Sequence, residues 1–129
     1  MRDRSAVVII ENHKVLLIKR IRDGSTYYVF PGGGIENGET PQFAAQREAL
    51  EELGVEVEVG ALFAEVPFNG TQYYFLADII SGEIGSGQGE EYTDENRNQG
   101  AYVPAWIAID KLSSLDVRPQ EVVERIQNY

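Results

Sequence analysis

The 129-residue sequence contains no cysteine. Its absence excludes disulfide bonds and zinc sites built on thiolates, and it is typical of proteins from a reducing compartment. No segment reaches the roughly 18 consecutive apolar residues of a membrane-spanning helix, and the first ten residues lack the pattern of a signal peptide. We therefore expect a cytoplasmic protein that has no membrane partner.

Positive charge is also scarce. Eleven Lys and Arg residues stand against 21 Asp and Glu residues, which gives a formal net charge of −10. Nonspecific binding of DNA or RNA depends on Lys and Arg to neutralise phosphates, so we expect no nucleic-acid polymer as a partner. If the ligand is a small phosphate compound, a divalent cation is the obvious group to attract it. The length fits a single domain over residues 1–129, and homodimer formation stays open.

Strand-like and helix-like patterns follow one another in the order strands, helix, strands, helix, which predicts a mixed β-sheet with helices packed on it. The predicted strands cover residues 6–10, 15–20, 25–30, 55–59, 61–66, 71–80 and 101–109. The first two flank the polar sequence ENHK and are expected to form a hairpin, with His13 in its turn. Pro104 indicates that the last strand is an edge strand or contains a bulge.

The longer of two predicted helices runs from Pro41 to Leu53. Thr40 is suited to cap its first turn, and proline is favoured at the first helical position. Gly54 is suited to the left-handed conformation that often ends a helix. A second, shorter helix is expected to begin near Pro119.

Three glutamates share one face of the longer helix, because Glu48, Glu51 and Glu52 stand three and four positions apart. Carboxylates at this spacing repel one another, and a divalent cation would reverse that penalty, since hard cations such as Mg²⁺ take oxygen ligands and leave positions for substrate phosphates. The alternative is an ordinary solvated helix face. The other side of the helix is expected to face a core, and it carries Phe43, Ala49, Leu50 and Leu53.

The glycines before this helix do not form either of two common phosphate-binding motifs. Residues 33–40 have nearly the spacing of the G-x-x-x-x-G-K-[ST] loop, but Glu39 occupies the position of the lysine that contacts phosphates. The dinucleotide-binding pattern G-x-G-x-x-G fails at Asn37, where its third glycine belongs. A glycine-rich turn beside carboxylates therefore needs a different explanation.

The stretch PGGGIENGETPQFAAQREALEELGV, residues 31–55, supplies that explanation. From Gly33 to Val55 it fits the pattern G-x5-E-x7-R-E-U-x-E-E-x-G-U, in which U is a bulky aliphatic residue. The only departure is Ala49, which is small where the pattern has a larger side chain. The segment resembles the Nudix box, so the chain resembles the Nudix (MutT-like) hydrolase family. The resemblance implies an α/β fold, an α/β/α sandwich with a mixed β-sheet and the Nudix strand-loop-helix.

The resemblance also implies an activity. Nudix enzymes use Mg²⁺ or Mn²⁺ to hydrolyse a phosphoanhydride bond in a nucleoside diphosphate linked to another group. The expected substrate is a small molecule: a modified nucleoside triphosphate, a nucleotide sugar or a dinucleoside polyphosphate. A Nudix-fold regulatory module that binds a nucleotide without cutting it is the alternative. We favour the hydrolase, because such modules typically lose carboxylates of the box and every acidic position is kept here.

Carried over to this sequence, the resemblance assigns roles within the box. Glu48, Glu51, Glu52 and the backbone carbonyl of Gly32 are expected to bind the metal. Either Glu51 or Glu52 is expected to act as the general base. Two further residues are expected to support them. Arg47 orients the carboxylates, with a surface ion pair to Glu51 as its alternative role. Glu39 orients the metal site or the turn, with a favourable charge at the positive end of the helix dipole as its alternative role.

Outside the box the assignments depend on weaker signals. A further ligand or base is expected from the loop at residues 81–100, where the candidates are Glu90, Glu91 and Glu95, and a mobile acidic surface loop is the alternative. Some of the positive charge near the first strands is expected to reach terminal phosphates of the substrate, chiefly Arg4 and Arg20, with Lys19 and Arg22 as further candidates. A role in surface solubility is the alternative for each of these residues. Four aromatic residues could stack on a base or belong to the core, and these are Phe68, Tyr73, Tyr74 and Trp106.

Overall fold

The computed structural model describes residues 2–84 and 101–129. The predicted loop at residues 81–100 falls outside the described residues from position 85 onwards, and so do Glu90, Glu91 and Glu95. No helix in the described ranges is long and apolar enough to cross a membrane.

The described chain forms nine strands, two α-helices and one 3₁₀-helix. The strands are β1 (Arg4–Val8), β2 (Ile10–Glu11), β3 (Lys14–Arg22), β4 (Ser25–Val29), β5 (Gly32–Gly34), β6 (Val55–Pro67), β7 (Thr71–Gly82), β8 (Ala101–Ala108) and β9 (Val117–Arg118). The helices are α1 (Pro41–Leu53), a 3₁₀-helix (Ile109–Ser114) and α2 (Gln120–Gln127).

The strands form two sheets of mixed direction. The first has the order β5-β1-β7-β6, and the second has the order β2-β3-β4-β9, with β8 also paired to β3. β1 and β7 are parallel, as are β4 and β9, while the other pairs are antiparallel. The prediction of a mixed sheet is therefore correct.

The two helices cover opposite sides of this β-structure. Alternate residues of β1 belong to different cores, since Val7 packs in the cluster around α1 while Ala6 and Val8 pack in the cluster around α2. The same alternation occurs on β3, where Leu16 faces the α1 cluster and Leu17 the α2 cluster. A period of two places successive side chains on opposite faces of a strand, so the β-layer is buried on both faces. The result is the predicted α/β/α sandwich.

The first predicted hairpin forms, but with a shorter first strand. β2 pairs with the start of β3 across a two-residue turn at Asn12 and His13, whose φ values of 51° and 62° are left-handed. His13 is therefore a turn residue, as predicted. The segment predicted as one strand over residues 6–10 is divided, because β1 belongs to the first sheet and β2 to the second. The chain changes sheets near Ile9, which an apolar run does not reveal.

Two other strand predictions can be compared with the structure. The strands predicted at 55–59 and 61–66 form the single strand β6, which absorbs the extra length through register shifts against β7. Pro104 lies in β8, whose only partner among the described strands is β3. The predicted edge position of Pro104 is therefore confirmed.

Helix α1 begins and ends where the sequence predicts. The hydroxyl oxygen of Thr40 accepts a hydrogen bond from the backbone N–H of Phe43 at 3.1 Å. Gly54 has a left-handed φ of 78°, and its N–H donates to the carbonyl of Leu50 at 3.0 Å. These caps satisfy backbone groups at both ends, so the helix that carries the glutamates has a fixed length.

Candidate active site

The orientation of α1 differs from the prediction. Phe43 and Leu50 are 57% and 55% exposed, so their assignment to the core is wrong. Ala49 and Leu53 are buried, as predicted, together with Ala44 and Ala45. Small residues allow a helix to approach a sheet closely, and here the alanines flank the inward-facing glutamates.

The glycines of β5 allow the carboxylates to reach the backbone. Gly32 donates its N–H to Oε1 of Glu52 at 3.2 Å, and Glu52 is only 5% exposed. A Cβ at Gly33 would overlap the carboxylate of Glu48, and a Cβ at Gly32 would overlap the backbone of β1. The backbone of β1 therefore requires glycine at position 32, while a side chain at position 33 would displace the Glu48 carboxylate, and the strand lies directly against the acidic face of α1.

Arg47 connects the acidic side chains of the box. Its Nε and Nη2 donate to the two carboxylate oxygens of Glu39 at 2.6 and 2.9 Å, a bidentate pair. Its Nη1 donates to Glu48 and Glu51, each at 3.2 Å, and Nη2 also donates to the carbonyl of Gly34 at 3.0 Å. The guanidinium geometry suits this task, because its donors form a rigid fork. A surface pair with Glu51 alone, the alternative role, is therefore not what the structure shows.

Glu39 links the network to the glycine turn. Its Oε1 also accepts a hydrogen bond from the backbone N–H of Glu36 at 2.8 Å. The hydrogen bond from Arg47, followed by that from Glu36, lowers the pKa of Glu39 from 4.5 to about 2. The same pairing raises the pKa of Arg47. Glu39 and Arg47 are thus held in their charged forms at neutral pH.

The three helix glutamates occupy different environments. Burial raises the pKa of Glu48, and the nearby charge of Arg47 partly opposes that effect. Glu52 is buried, whereas the side chain of Glu51 is 54% exposed. Burial of carboxylates beside a cleft favours a site at which a cation compensates their charge.

The Glu39–Arg47 pair predicts a dependence of stability on pH. Because the pKa of Glu39 is lower in the folded protein, its contribution is fully present above pH 4.5 and is lost as the pH falls towards 2. We expect the difference in the free energy of unfolding between wild type and Glu39→Gln to shrink over this range. Urea unfolding of both proteins at pH 6, 4 and 3 measures it, and a difference that does not change with pH would contradict the assigned pairing.

The donor set of the site consists of oxygen atoms. In the described parts of the chain, no three His, Cys, Asp or Glu side chains are already arranged as a group that could hold a metal ion. Two carboxylates, from Glu48 and Glu52, lie against the glycine strand. Mg²⁺ is commonly held by one or two carboxylates and by substrate phosphates, so these residues fit a hard divalent cation.

A cleft of about 570 Å³ opens beside Gly32 and Gly33. Arg4 and Arg20 line it, as the prediction of substrate contacts requires, whereas Lys19 and Arg22 are not among its lining residues. Three of the four aromatic candidates line the cleft as well, namely Phe68, Tyr73 and Tyr74. Trp106 packs instead against the core around α1.

The cleft is also lined by residues that the sequence patterns do not indicate, among them Tyr27, Tyr102, Arg118 and the carboxylate Glu121. Tyr27 and Tyr102 lie directly opposite Arg20 on the two neighbouring strands. Only strand register brings these positions together, and the sequence alone does not supply that register. Of the predicted site residues, the loop candidates Glu90, Glu91 and Glu95 lie outside the described part of the chain.

Comparison with known proteins agrees with this geometry. The profile of the NUDIX domain matches residues 1–126. The 8-oxo-dGTP diphosphatase of Escherichia coli is 31% identical over 87 residues, which cover 62% of this chain and 67% of that protein. The NAD-capped RNA hydrolase NudC of Haemophilus influenzae is 35% identical over 92 residues, which cover 67% of this chain but only 35% of NudC.

A solved structure of a NUDIX hydrolase is also similar to this chain. A NUDIX hydrolase from Nitrosomonas europaea superposes with a TM-score of 0.75 at 25% identity and covers 99% of this chain and 87% of its own. The chain therefore belongs to the Nudix family, and the predicted fold is confirmed. The relatives are named diphosphatase and hydrolase, which is consistent with the predicted enzyme class, a pyrophosphohydrolase acting on acid anhydrides.

Proposed function

We propose that this protein is a metal-dependent pyrophosphohydrolase of a small nucleoside diphosphate derivative, with Mg²⁺ or Mn²⁺ held by carboxylates of α1. The observation that supports this most directly is the contact of Glu48 and Glu52 with the glycine strand β5 at the edge of an open cleft. A buried acidic surface next to a cavity that contains arginines is suited to a cation and a phosphate chain together.

Each residue of the box has a distinct task in this proposal. Glu48, Glu52 and the carbonyl of Gly32 would hold the metal, and Glu51 would complete the ligand set. Arg47 keeps Glu48 and Glu51 oriented, while Glu39 fixes Arg47 through the bidentate pair. A bound divalent cation would offset the charge of the diphosphate, stabilise charge that develops at phosphorus and lower the pKa of the attacking water.

The proton of the attacking water is taken by Glu51 or Glu52. Glu51 is half exposed and meets solvent, whereas Glu52 is buried and bonded to Gly32. The pH dependence of kcat in Glu51→Gln and Glu52→Gln identifies the base, because the variant without it loses the acidic limb of the profile.

The cleft supports a small-molecule substrate. Its volume suits a nucleotide, and Arg4 and Arg20 supply positive charge on its walls although the protein has a net charge of −10. Tyr74 and Phe68 line the same cavity and offer faces for a nucleobase. We propose a modified nucleoside triphosphate, a nucleotide sugar or a dinucleoside polyphosphate as the substrate, with a capped RNA end as a further case because NudC is a relative.

A panel of nucleotides tests the proposed function. The purified protein is incubated in Mg²⁺ or Mn²⁺ with normal and oxidised nucleoside triphosphates, ADP-ribose, nucleotide sugars, dinucleoside polyphosphates and NAD-capped RNA, and products are separated by chromatography. We expect cleavage of a phosphoanhydride bond in at least one member, abolished by EDTA. Thermal stabilisation by a nucleotide with no cleavage of any member would instead identify a binding module.

Removal of the metal is expected to lower thermal stability. The carboxylates of α1 repel one another when no cation is present, and a ligand that binds the folded state alone raises the melting temperature. Protein treated with EDTA and dialysed should therefore melt several degrees lower than the same protein in Mg²⁺ at about 100 times the dissociation constant. Equal melting temperatures in EDTA, millimolar Mg²⁺ and millimolar Mn²⁺ would count against the site.

A further inference from the structure

A buried hydroxyl beside the glycine strand forms no hydrogen bond. Among the described residues, the polar or charged ones that are buried are Ser5 and Glu52, at 1% and 5% exposed. The hydrogen bond that Glu52 accepts from Gly32 accounts for its burial. Ser5 lines the cleft, but its Oγ has no partner, and a buried polar atom in that condition lowers stability. The position of Ser5 therefore needs an explanation.

Strand pairing places Ser5 on the face of the sheet that meets the acidic side of α1. Ser5 lies directly opposite Gly33 in the antiparallel pair of β1 and β5. Side chains of directly opposite residues lie on the same face, with their Cβ atoms about 5 Å apart. At Gly33 the carboxylate of Glu48 fills the space that a Cβ would take. The Ser5 side chain is therefore the neighbour of the Glu48 carboxylate across the strand pair.

The alternation along β1 gives the same orientation independently. Val7 packs in the cluster around α1, while Ala6 and Val8 pack in the cluster around α2. Because successive side chains of a strand point to opposite faces, Ser5 shares the α1 face with Val7. On the other side of β1, Ser5 is paired with Tyr73 of β7, which also packs against the α1 cluster. Ser5 thus lies between an aromatic ring and a glycine, beneath helix α1.

The Glu48 carboxylate can accept a further hydrogen bond from the sheet. Its Oε2 accepts a hydrogen bond from Nη1 of Arg47 at 3.2 Å. An ionised carboxylate has about four acceptor sites on its two oxygens, so this bond leaves others available. Arg47 belongs to the same helix as Glu48, whereas Ser5 faces the carboxylate from β1. Donors on two sides of a carboxylate fix its orientation better than one donor does.

We propose that Ser5 is a positioning residue of the metal site, whose hydroxyl donates a hydrogen bond to the Glu48 carboxylate when a divalent cation is bound there. This inference rests on the proposed function, since it takes Glu48 as a metal ligand. Carboxylates that bind metals are commonly held by hydrogen bonds from residues that do not touch the metal. Rotation of the Ser5 side chain between staggered rotamers makes the bond without movement of β1. The stability lost by burying the hydroxyl then serves the site.

Ser5→Ala is expected to have two effects of opposite sign. Alanine removes a buried polar atom that has no partner, so the variant stripped with EDTA should melt roughly 2–4 °C higher than the stripped wild type. Loss of a hydrogen bond to a metal ligand should weaken Mn²⁺ binding on the order of tenfold. Calorimetric melting and a titration of Mn²⁺ followed by electron paramagnetic resonance give the two values, and neither measurement requires turnover.

Two further variants isolate the hydroxyl of Ser5. Ser5→Thr keeps a hydroxyl at this position and should bind Mn²⁺ more tightly than Ser5→Ala. Ser25→Ala is the matched control, because Ser25 is an exposed residue of β4 outside the lining of the cleft. Ser25→Ala should leave Mn²⁺ binding unchanged.

A double variant shows whether Ser5 acts through Glu48. Ser5→Ala added to Glu48→Gln should weaken Mn²⁺ binding no further than Glu48→Gln does alone, because the two residues share one interaction. An additional loss as large as that in the wild-type background would overturn the proposal, since Ser5 would then act independently of Glu48.

Two results from the single variant would also overturn it. The first is Mn²⁺ binding by Ser5→Ala that equals that of the wild type. The second is a lower melting temperature of stripped Ser5→Ala, which would show that the fold itself already gives the hydroxyl a stabilising partner.

The outcomes separate this inference from the proposed function. Equal, saturable Mn²⁺ binding by wild type and Ser5→Ala would keep the metal site and remove the role of Ser5. Weaker binding by Ser5→Ala, together with no cleavage of any nucleotide of the panel, would keep the role of Ser5 and remove the hydrolase. A wild type that binds no Mn²⁺ would overturn both.

Discussion

Glutamine in place of Glu52 is expected to lower kcat by a factor on the order of 10²–10⁴, the usual contribution of a positioned acid–base group or a comparable charge. The amide keeps the size of the side chain, and its oxygen can still accept the hydrogen bond from the Gly32 N–H that Glu52 accepts at 3.2 Å. The fold should therefore persist while the charge for the metal is lost. Steady-state hydrolysis of the best nucleotide of the panel, with Mg²⁺ varied, gives both kcat and the apparent metal affinity.

The matched control for this variant is Glu58→Gln. Glu58 is an exposed carboxylate on β6, so the substitution changes the net charge equally but outside the site. Glu58→Gln should retain wild-type kcat and metal dependence. Near-normal activity of Glu52→Gln, in a protein that melts like the wild type, would contradict the role of Glu52 as a ligand or base.

The second large effect is expected at Arg47. Its guanidinium contacts three carboxylates and the carbonyl of Gly34, so its removal leaves those groups without their shared donor. Arg47→Ala should lower kcat/KM by roughly 10- to 100-fold, as loss of a residue that orients metal ligands typically does. It should also lower the melting temperature, because unpaired carboxylates of the box then repel one another.

Arg47→Lys distinguishes orientation from charge. Lysine keeps the positive charge but cannot donate to Glu39 in bidentate fashion while also reaching Glu48 and Glu51. We expect Arg47→Lys to recover much of the melting temperature and little of the activity. Full recovery of kcat/KM by lysine would show that a point charge is enough and that the fork geometry has no role.

Local signals were sufficient to predict the frame of the site. Thr40, Pro41 and Gly54 are short-range capping signals, and helix α1 has the predicted ends. The supporting roles of Glu39 and Arg47 were implied by the resemblance to the Nudix box, and in the structure Arg47 bonds to Glu39, Glu48 and Glu51. Such features depend on residues a few positions apart, so a single sequence contains the information they need.

Features that depend on packing were not predictable in the same way. Phe43 and Leu50 were assigned to a core because they are large and apolar, but α1 places its alanines and Glu52 inward instead. This orientation of α1 follows from the approach of the helix to the glycine strand β5, which is a contact between segments far apart in the sequence.

Pairing between strands that are distant in the sequence was also not predictable. The division of the first predicted strand between two sheets and the juxtaposition of Arg20 with Tyr27 and Tyr102 both depend on strand register. A residue-by-residue pattern indicates which face of a strand a side chain occupies, but not which residue lies opposite it on the next strand.

Binding of a divalent cation by the carboxylates of α1 is tested most directly by electron paramagnetic resonance of Mn²⁺. Free Mn²⁺ is titrated with protein that has been stripped with EDTA, in wild type, Glu52→Gln and Glu58→Gln. The account predicts saturable binding by wild type and Glu58→Gln that is weakened at least roughly tenfold in Glu52→Gln. Equal binding by all three proteins would contradict it, because the cation would then be held somewhere other than at Glu52.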